Sequence, residues 1–325
     1  MQKTDNLKAI AIGSLASVFF SSTYIVNSFL AVNGGHWAWT AGMRSFFLVL
    51  MLGAMLQVKG QLKPLLQVMQ QHIRTWVLWG GIAFGVTYLF LTYAASFGPG
   101  WLIAGVFQFT IVAGILLSPF IYKDHRAKIP MRALLLSIVI LAGIALMQWS
   151  QKGGSYTLEQ LLLCVVLVLA TAFLWPLANR KLMLHVEKHG FELNAMQRVA
   201  GTAIGSIPVQ FLLMGYGYSQ AGLPDQQQLL GILTIAVSSG VIGCILFFKA
   251  MHITRADGHG LAAVEATQAV EILMTMIGEV LLLGIAWPNW IGTLGMLVVT
   301  GGLVLYSIPE RQLSWRRIKL KQKLV

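Results

Sequence analysis

Long apolar runs recur along the whole chain, separated by short segments rich in Gly, Pro and charge. A helix needs about 20 apolar residues to cross the ~30 Å hydrocarbon core of a bilayer. Runs near this length lie at 9–32, 37–57, 75–96, 101–121, 131–149, 158–179, 194–214, 229–251, 260–283 and 288–307. They predict an all-α integral membrane protein with ten transmembrane helices. With ten crossings, both ends of the chain lie on one side.

The polar positions inside these runs carry the information. Glu265, Glu271 and Glu279 share the ninth run. At about 1.5 Å per residue Glu265 lies about 8 Å from Gly260 and Glu271 about 16 Å, close to mid-bilayer. At about 100° per residue the three glutamates fall within an arc of about 120°, together with Gln268 and Thr275. An ionisable residue in a span is costly, so it faces a bundle interior or a water-filled cavity and is a functional candidate by default.

Composition agrees. The chain has 325 residues, 57% hydrophobic and only 10% charged, too few charges to cover a water-facing surface. The short basic segment Met1–Lys8 and the run after it resemble a signal peptide. The run is too long for one and shows no small-residue cleavage site, so it is expected to be a retained first span. Cys164 and Cys244 both fall in spans and are expected as packed thiols.

The net charge of +12 points to topology and not to nucleic acid. With the N-terminus inside, every Lys and Arg falls in an inside segment except Lys152, which is outside, and Arg44, Arg198 and Lys249, which lie within or at the ends of spans. This is a strong positive-inside signal, predicting cytoplasmic termini in a cell inner (plasma) membrane. The basic tail after residue 308 could also touch anionic lipid.

The chain repeats itself. Ala41 and Arg44 in the second run match Ala195 and Arg198 in the seventh; Gly85 and Val86 in the third match Gly240 and Val241 in the eighth; Gln108 in the fourth matches Gln268 in the ninth; Asn27 and Asn179 sit alike in the first and sixth. Residues 1–153 and 154–308 thus read as two five-helix repeats, with 309–325 a basic cytoplasmic tail. Five is odd, so the halves enter the membrane in opposite senses, an architecture of secondary transporters.

These residues resemble the drug/metabolite transporter superfamily in its ten-span, inverted-repeat form, closest to the multidrug resistance efflux branch. Arg44, Arg198, the stretch 85–90, Trp175 and Asn179, Gly278 and Glu279, then Trp290 to Gly292 and Gly301 and Gly302 carry the resemblance. There are departures. Pro119 stands where the first half would carry a glutamate matching Glu279, with Asp124 nearby, and Thr23 stands where Trp175 does in the second half. Helices four and nine usually carry a proline, and this chain has Gln108 and Gln268 near those places, so a proline kink does not carry over. The resemblance implies a carrier of drugs or small metabolites and leaves its cargo open.

Glu271 is the first candidate for proton coupling. A carboxylate at mid-bilayer is desolvated, and a proton or a cationic cargo could neutralise it. Its alternative is a buried hydrogen-bonded acid. Glu265, nearer the inner side, is a second proton or cation site, or an ion-pair partner for Arg198. Glu279 and Arg198 are expected to be structural charges. Candidate substrate contacts are Gln108, Gln268, Arg44, Tyr88, Trp175, Asn27 and Asn179; Tyr24, Tyr93 and Trp101 are further aromatics able to line a cavity. Trp37, Trp39, Trp287 and Trp290 fit an outer aromatic belt. His185 and His189 are placed in the loop after span six, without a third ligand in view, so no metal and no cofactor are expected.

Two readings of function follow. One is a proton-coupled exporter of drug-like cations or metabolites working by alternating access. The other is an amino acid or nucleoside facilitator or exchanger without proton coupling. An enzyme is not expected: the loops are short and hold no phosphate-binding Gly loop, His/Asp metal box or Ser–His pair. Expected partners are small-molecule cargo, protons and lipid, with no nucleic acid, and a monomer suffices for a complete carrier.

Overall fold

The computed structural model describes residues 2–123, 127, 131–150, 156–254, 264 and 267–307. Among them every regular element is a helix. The first long rods are α1 (Gln2–Val32) and α2 (Trp37–Val58). The short α3 (Leu62–Gln71) turns at His72 into α4 (Ile73–Gly80), which runs through a π-helical segment, Gly81–Val86, into α5 (Thr87–Ala94). Then come α6 (Gly100–Phe107), α7 (Phe109–Leu116), α8 (Ser118–Ile121) and α9 (Met131–Trp149).

The second part opens with α10 (Leu158–Lys188), followed by α11 (Ala195–Gly205) and α12 (Ile207–Ala221). The helix α13 (Gln226–Ile235) passes through a second π segment, Ala236–Gly243, into α14 (Cys244–Ile253). A 3-10 turn, Thr267–Ala269, leads into α15 (Val270–Leu283), and α16 (Trp290–Ser307) is last.

Among the described residues, five helical runs are long and apolar enough to cross a membrane: Leu7–Val32, Trp37–Val58, Ile73–Ala94, Leu158–Lys188 and Gln226–Met251. The pair α11 and α12 makes a sixth if its 48° bend lies within one crossing. Pro208 at the start of α12 removes a backbone donor there, a usual cause of such a bend. The outward faces carry bare apolar side chains such as Phe211, Leu212, Leu281 and Leu282, as expected of a surface solvated by lipid.

Two departures from the sequence expectation matter. The helix begun at Leu158 does not stop near residue 179 but continues to Lys188. Arg180, Lys181 and His185 therefore stand on a helix, and His189 caps it. Residues 177–188 contain no Gly or Pro, and the chain turns only at Gly190, with φ of 65°. The second departure is at Gln108 and Gln268. Helix is interrupted at Gln108, and Gln268 sits in the 3-10 turn, although neither place has a proline.

The packing pairs elements of the two parts. α9 lies along α16, α2 along α12, and α6 along α15. α1 packs on the second π segment and α14, while α10 packs on the first π segment and α5. The contact of α9 with α16 is close because glycines meet. A Cβ on Gly295 would lie 2.7 Å from the Gly143 carbonyl, and one on Gly143 would lie 3.0 Å from that of Gly295. Small residues at such crossings let helix backbones approach in a membrane.

Candidate functional site

The interior polar groups gather around α1. Ser17, Ser21, Thr23, Tyr24, Asn27 and Ser28 of this helix are buried, and the helix packs on the second π segment, α6 and α15. Thr23 donates to Ser239 at 2.7 Å, and the Ser22 and Ser238 hydroxyls are 2.6 Å apart. Ser239 and Ser238 lie in the second π segment. A π turn widens the helix and leaves backbone and side chains in unusual positions, and such turns recur at functional sites.

Glu271 opens α15 and is 4% exposed. Gln108, 2% exposed at the break between α6 and α7, donates its Nε2 to Glu271 Oε2 at 3.3 Å. The Tyr24 hydroxyl interacts with the same carboxyl. Both partners are neutral, and among the described residues no cation pairs with Glu271. Taking a carboxylate out of water costs several kcal/mol even after relaxation, and each of the two hydrogen bonds, from Gln108 and Tyr24, returns about 1.5–3 kcal/mol at best, the first being long at 3.3 Å. The position at the first turn of α15, where helix dipoles favour negative charge, offsets a further part. The acid is thus held by neutral partners and a helix end, without a cation among the described residues.

Arg44 on α2 reaches the same interior. Its guanidinium lies 4.2 Å from the centroid of the Tyr88 ring, and its Nη2 donates to Ser239 at 3.4 Å. Its Nε is buried without a hydrogen-bond partner. The Tyr88 hydroxyl donates to Asn27 Oδ1 at 3.4 Å. Tyr24 lies within electrostatic reach of both Arg44 and Glu271. A cleft of about 380 Å³ runs from Lys59, Gln61, Asn194 and Lys249 to Gly240 and Cys244, beside the Ser239 end of this group. A larger groove, of about 550 Å³ between α1 and α13, is lined by Val26, Phe29, Leu230 and their neighbours and holds none of these charges.

Glu279, two turns beyond Glu271, has a different setting. Its Oε1 accepts the Gly100 N–H at 2.8 Å and its Oε2 accepts the Trp101 N–H at 3.0 Å. It thus caps the start of α6 from another helix, with two otherwise unpaired donors satisfied.

The structure brings together Gln108 and Glu271, and Arg44, Tyr88 and Asn27. Trp175 stacks on Phe84, ring centroids 5.5 Å apart, in a separate core cluster. Asn179 donates to the Trp175 carbonyl at 2.8 Å, within its own helix. Gln268 is half-buried. Arg198 Nη1 lies 3.3 Å from the Met183 sulfur; Glu265, its suggested partner, falls outside the described residues. Trp287 and Trp290 are exposed, but Trp39 is buried and donates to the Gly222 carbonyl at 2.9 Å, so it is a packing residue and not part of a belt.

Three participants escaped the sequence. Ser239 carried a cue, a serine pair inside an apolar run. Arg180 looked like a loop charge, yet it donates to the Gly114 carbonyl and, at 2.8 Å, to the Ser118 hydroxyl, where helix breaks between α7 and α8. His72 comes beside His185 and His189 from the corner of α3 and α4, and no spacing could place it there.

A bundle of apolar helices with an acid, an arginine and other polar groups in its interior is consistent with a membrane transporter. Residues 7–312 match the family described as "EmrE: Putative multidrug resistance efflux transporter", and the chain belongs to that family, within the drug/metabolite transporter superfamily. It is 39% identical over 314 residues to "Uncharacterized protein YjlA" of Bacillus subtilis (strain 168), covering 94% of this chain and 96% of that protein. A Shouchella clausii protein, named "Uncharacterized 42.1 kDa protein in intracellular alkaline protease 3'region", is 36% identical over 271 residues, covering 82% and 70%. The fold resembles a solved structure described as "Crystal structure of protein", with a TM-score of 0.61, 15% identity, and coverage of 94% of this chain and 98% of that one.

Proposed function

We propose that the protein is a secondary active transporter exporting small organic molecules, coupled to proton entry, by alternating access of two inverted five-helix halves. The observation that carries it is Glu271: a buried acid in a carrier interior, held by neutral donors alone. A proton or a cationic cargo group neutralises it, and competition between the two links their movements in opposite directions.

The helix pairing supports the inverted repeat. α9 with α16, α2 with α12 and α6 with α15 are the contacts that a twofold axis relating the halves would leave unchanged, and the two π segments occupy matching places. The breaks at Gln108 and at Thr267–Ala269 also correspond, as in carriers whose discontinuous helices surround a midplane site. The excess of Lys and Arg in the segments predicted to lie inside supports cytoplasmic termini, and on that reading the cleft between Lys59 and Lys249 is the cytoplasmic approach. The protein works as a monomer in the cell membrane.

A second reading rests on Arg44. A guanidinium is always charged, and this one has a buried Nε without a partner. It favours cargo bearing a carboxylate or phosphate, as an amino acid or nucleotide-like metabolite does. The test is transport current from the purified chain in liposomes on a solid-supported membrane, with cationic drugs, amino acids and nucleotides applied at several pH values. Currents from cations that change with the proton gradient support the first reading. Currents from anionic or zwitterionic metabolites, indifferent to that gradient, move cargo recognition to Arg44 and remove the proton from the mechanism.

A further inference from the structure

His72, His185 and His189 bring one ring nitrogen each to within 4.8 Å of one another. They come from two places: His72 from the corner of α3 and α4, the others from the end of α10, four residues apart on one helical face. Ring centroids are 4.6 Å apart for His72 and His185, 4.3 Å for His72 and His189, and 4.2 Å for His185 and His189.

Two further details point to a ligand. His189 Nδ1 lies 2.8 Å from the His185 carbonyl. A carbonyl only accepts, so the Nδ1 carries the proton and Nε2 keeps its lone pair, the arrangement typical of a metal-binding imidazole whose second nitrogen is anchored. His185 Nε2 is buried without a hydrogen-bond partner. Phe191 stacks on His189 with rings 12° apart and centroids at 5.6 Å, and it lies 5.6 Å from His72, closing one side of the cluster with an apolar wall.

The geometry points to a divalent transition-metal site, of the Zn²⁺ class, formed by His72, His185 and His189. Three neutral imidazoles suit Zn²⁺, Cu²⁺, Ni²⁺ or Co²⁺ and not Mg²⁺ or Ca²⁺, which take oxygen ligands. Nitrogens at about 2.0–2.1 Å from a tetrahedral ion lie about 3.3 Å apart. The donor nitrogens, all within 4.8 Å of one another, thus need only small side-chain shifts to reach that spacing, with His189 Nδ1 kept on the His185 carbonyl. The fourth position stays open to water. A bound ion would tie the α3–α4 corner to the end of α10, joining elements of the first and second parts of the chain. In a carrier whose parts move against each other, such a tie restrains one conformation.

The test uses the full chain, without a polyhistidine tag, in detergent micelles. Calorimetric titration with ZnCl₂ is expected to give one ion per chain, and CoCl₂ the visible bands of a nitrogen-ligated, four- or five-coordinate ion. His72→Gln and His189→Gln, each kept if it elutes as a single species, should weaken Zn²⁺ binding on the order of 100-fold or more, since loss of a ligand costs at least as much as loss of its supporting partner. Failure of the unaltered chain to bind a stoichiometric ion overturns the site without reference to any variant. So does equal binding by the unaltered chain and the His72→Gln/His189→Gln double variant.

Discussion

Glu279 on α15 grips the first backbone amide of α6, with its Oε1 2.8 Å from the Gly100 nitrogen. Two turns earlier on the same helix, Glu271 meets one side-chain amide at 3.3 Å and the hydroxyl of Tyr24. Fixed backbone donors make the first acid a clamp, whereas the second is held only by neutral side chains.

The clamp predicts a loss of stability without loss of coupling. Glu279→Leu removes the acceptor for two amides, at about 1.5–3 kcal/mol for each charged hydrogen bond. Gly100→Ala attacks the same place from the other side, because its Cβ would sit 2.8 Å from Glu279 Oε1 and 2.9 Å from the Tyr24 carbonyl. Thermal unfolding in detergent should show both variants melting below the unaltered chain, and whatever folds should still respond to a proton gradient.

Close approach of α9 and α16 gives a paired test within one helix. A side chain at Gly295 would strike the Gly143 carbonyl and Met147, whereas Gly301 has nothing within 4 Å. Gly295→Leu should therefore reduce the yield of monodisperse protein in size-exclusion chromatography, an overpacking cost of about 1–3 kcal/mol or more. Gly301→Leu should leave it unchanged. Equal behaviour of the two would mean that this crossing does not hold the fold together.

Arg44 separates the cargo classes. If it binds an anionic group, Arg44→Lys should raise KM on the order of tenfold or more. A lysine supplies the charge but neither the planar fork nor the stacking over Tyr88. If the cargo is purely cationic, the same substitution keeps the charge and leaves KM unchanged. Radiolabelled uptake into liposomes at several cargo concentrations distinguishes the two.

Much of the fold could be read from the chain because lipid makes the signal simple: apolar runs of bilayer length, ended by charge or glycine. Where local chemistry competed with that signal, the pattern misled. Arg180 and Lys181 looked like the end of a crossing, yet helix continues to Lys188 because nothing before Gly190 breaks it. Gln108 and Gln268 lacked the proline of a kink, yet helix is interrupted at Gln108 and tightened at Gln268. The π segments leave no periodic trace, and only the repeated Gly-Val pairs mark them. Within the site, Glu271, Gln108, Arg44 and Tyr88 stood out as costly residues inside apolar runs. Their partners Ser239 and Tyr24, and the approach of His72 to the end of α10, depend on packing between distant segments, which spacing along one chain does not encode.

The most direct measurement compares the unaltered chain with Glu271→Gln in liposomes, in two modes: accumulation of cargo driven by an imposed pH gradient, and exchange of labelled for unlabelled cargo without a gradient. Proton coupling at Glu271 predicts that the variant loses gradient-driven accumulation while exchange persists, because glutamine keeps the hydrogen bonding and cannot take up a proton. Accumulation by the variant as steep as that of the unaltered chain would contradict it.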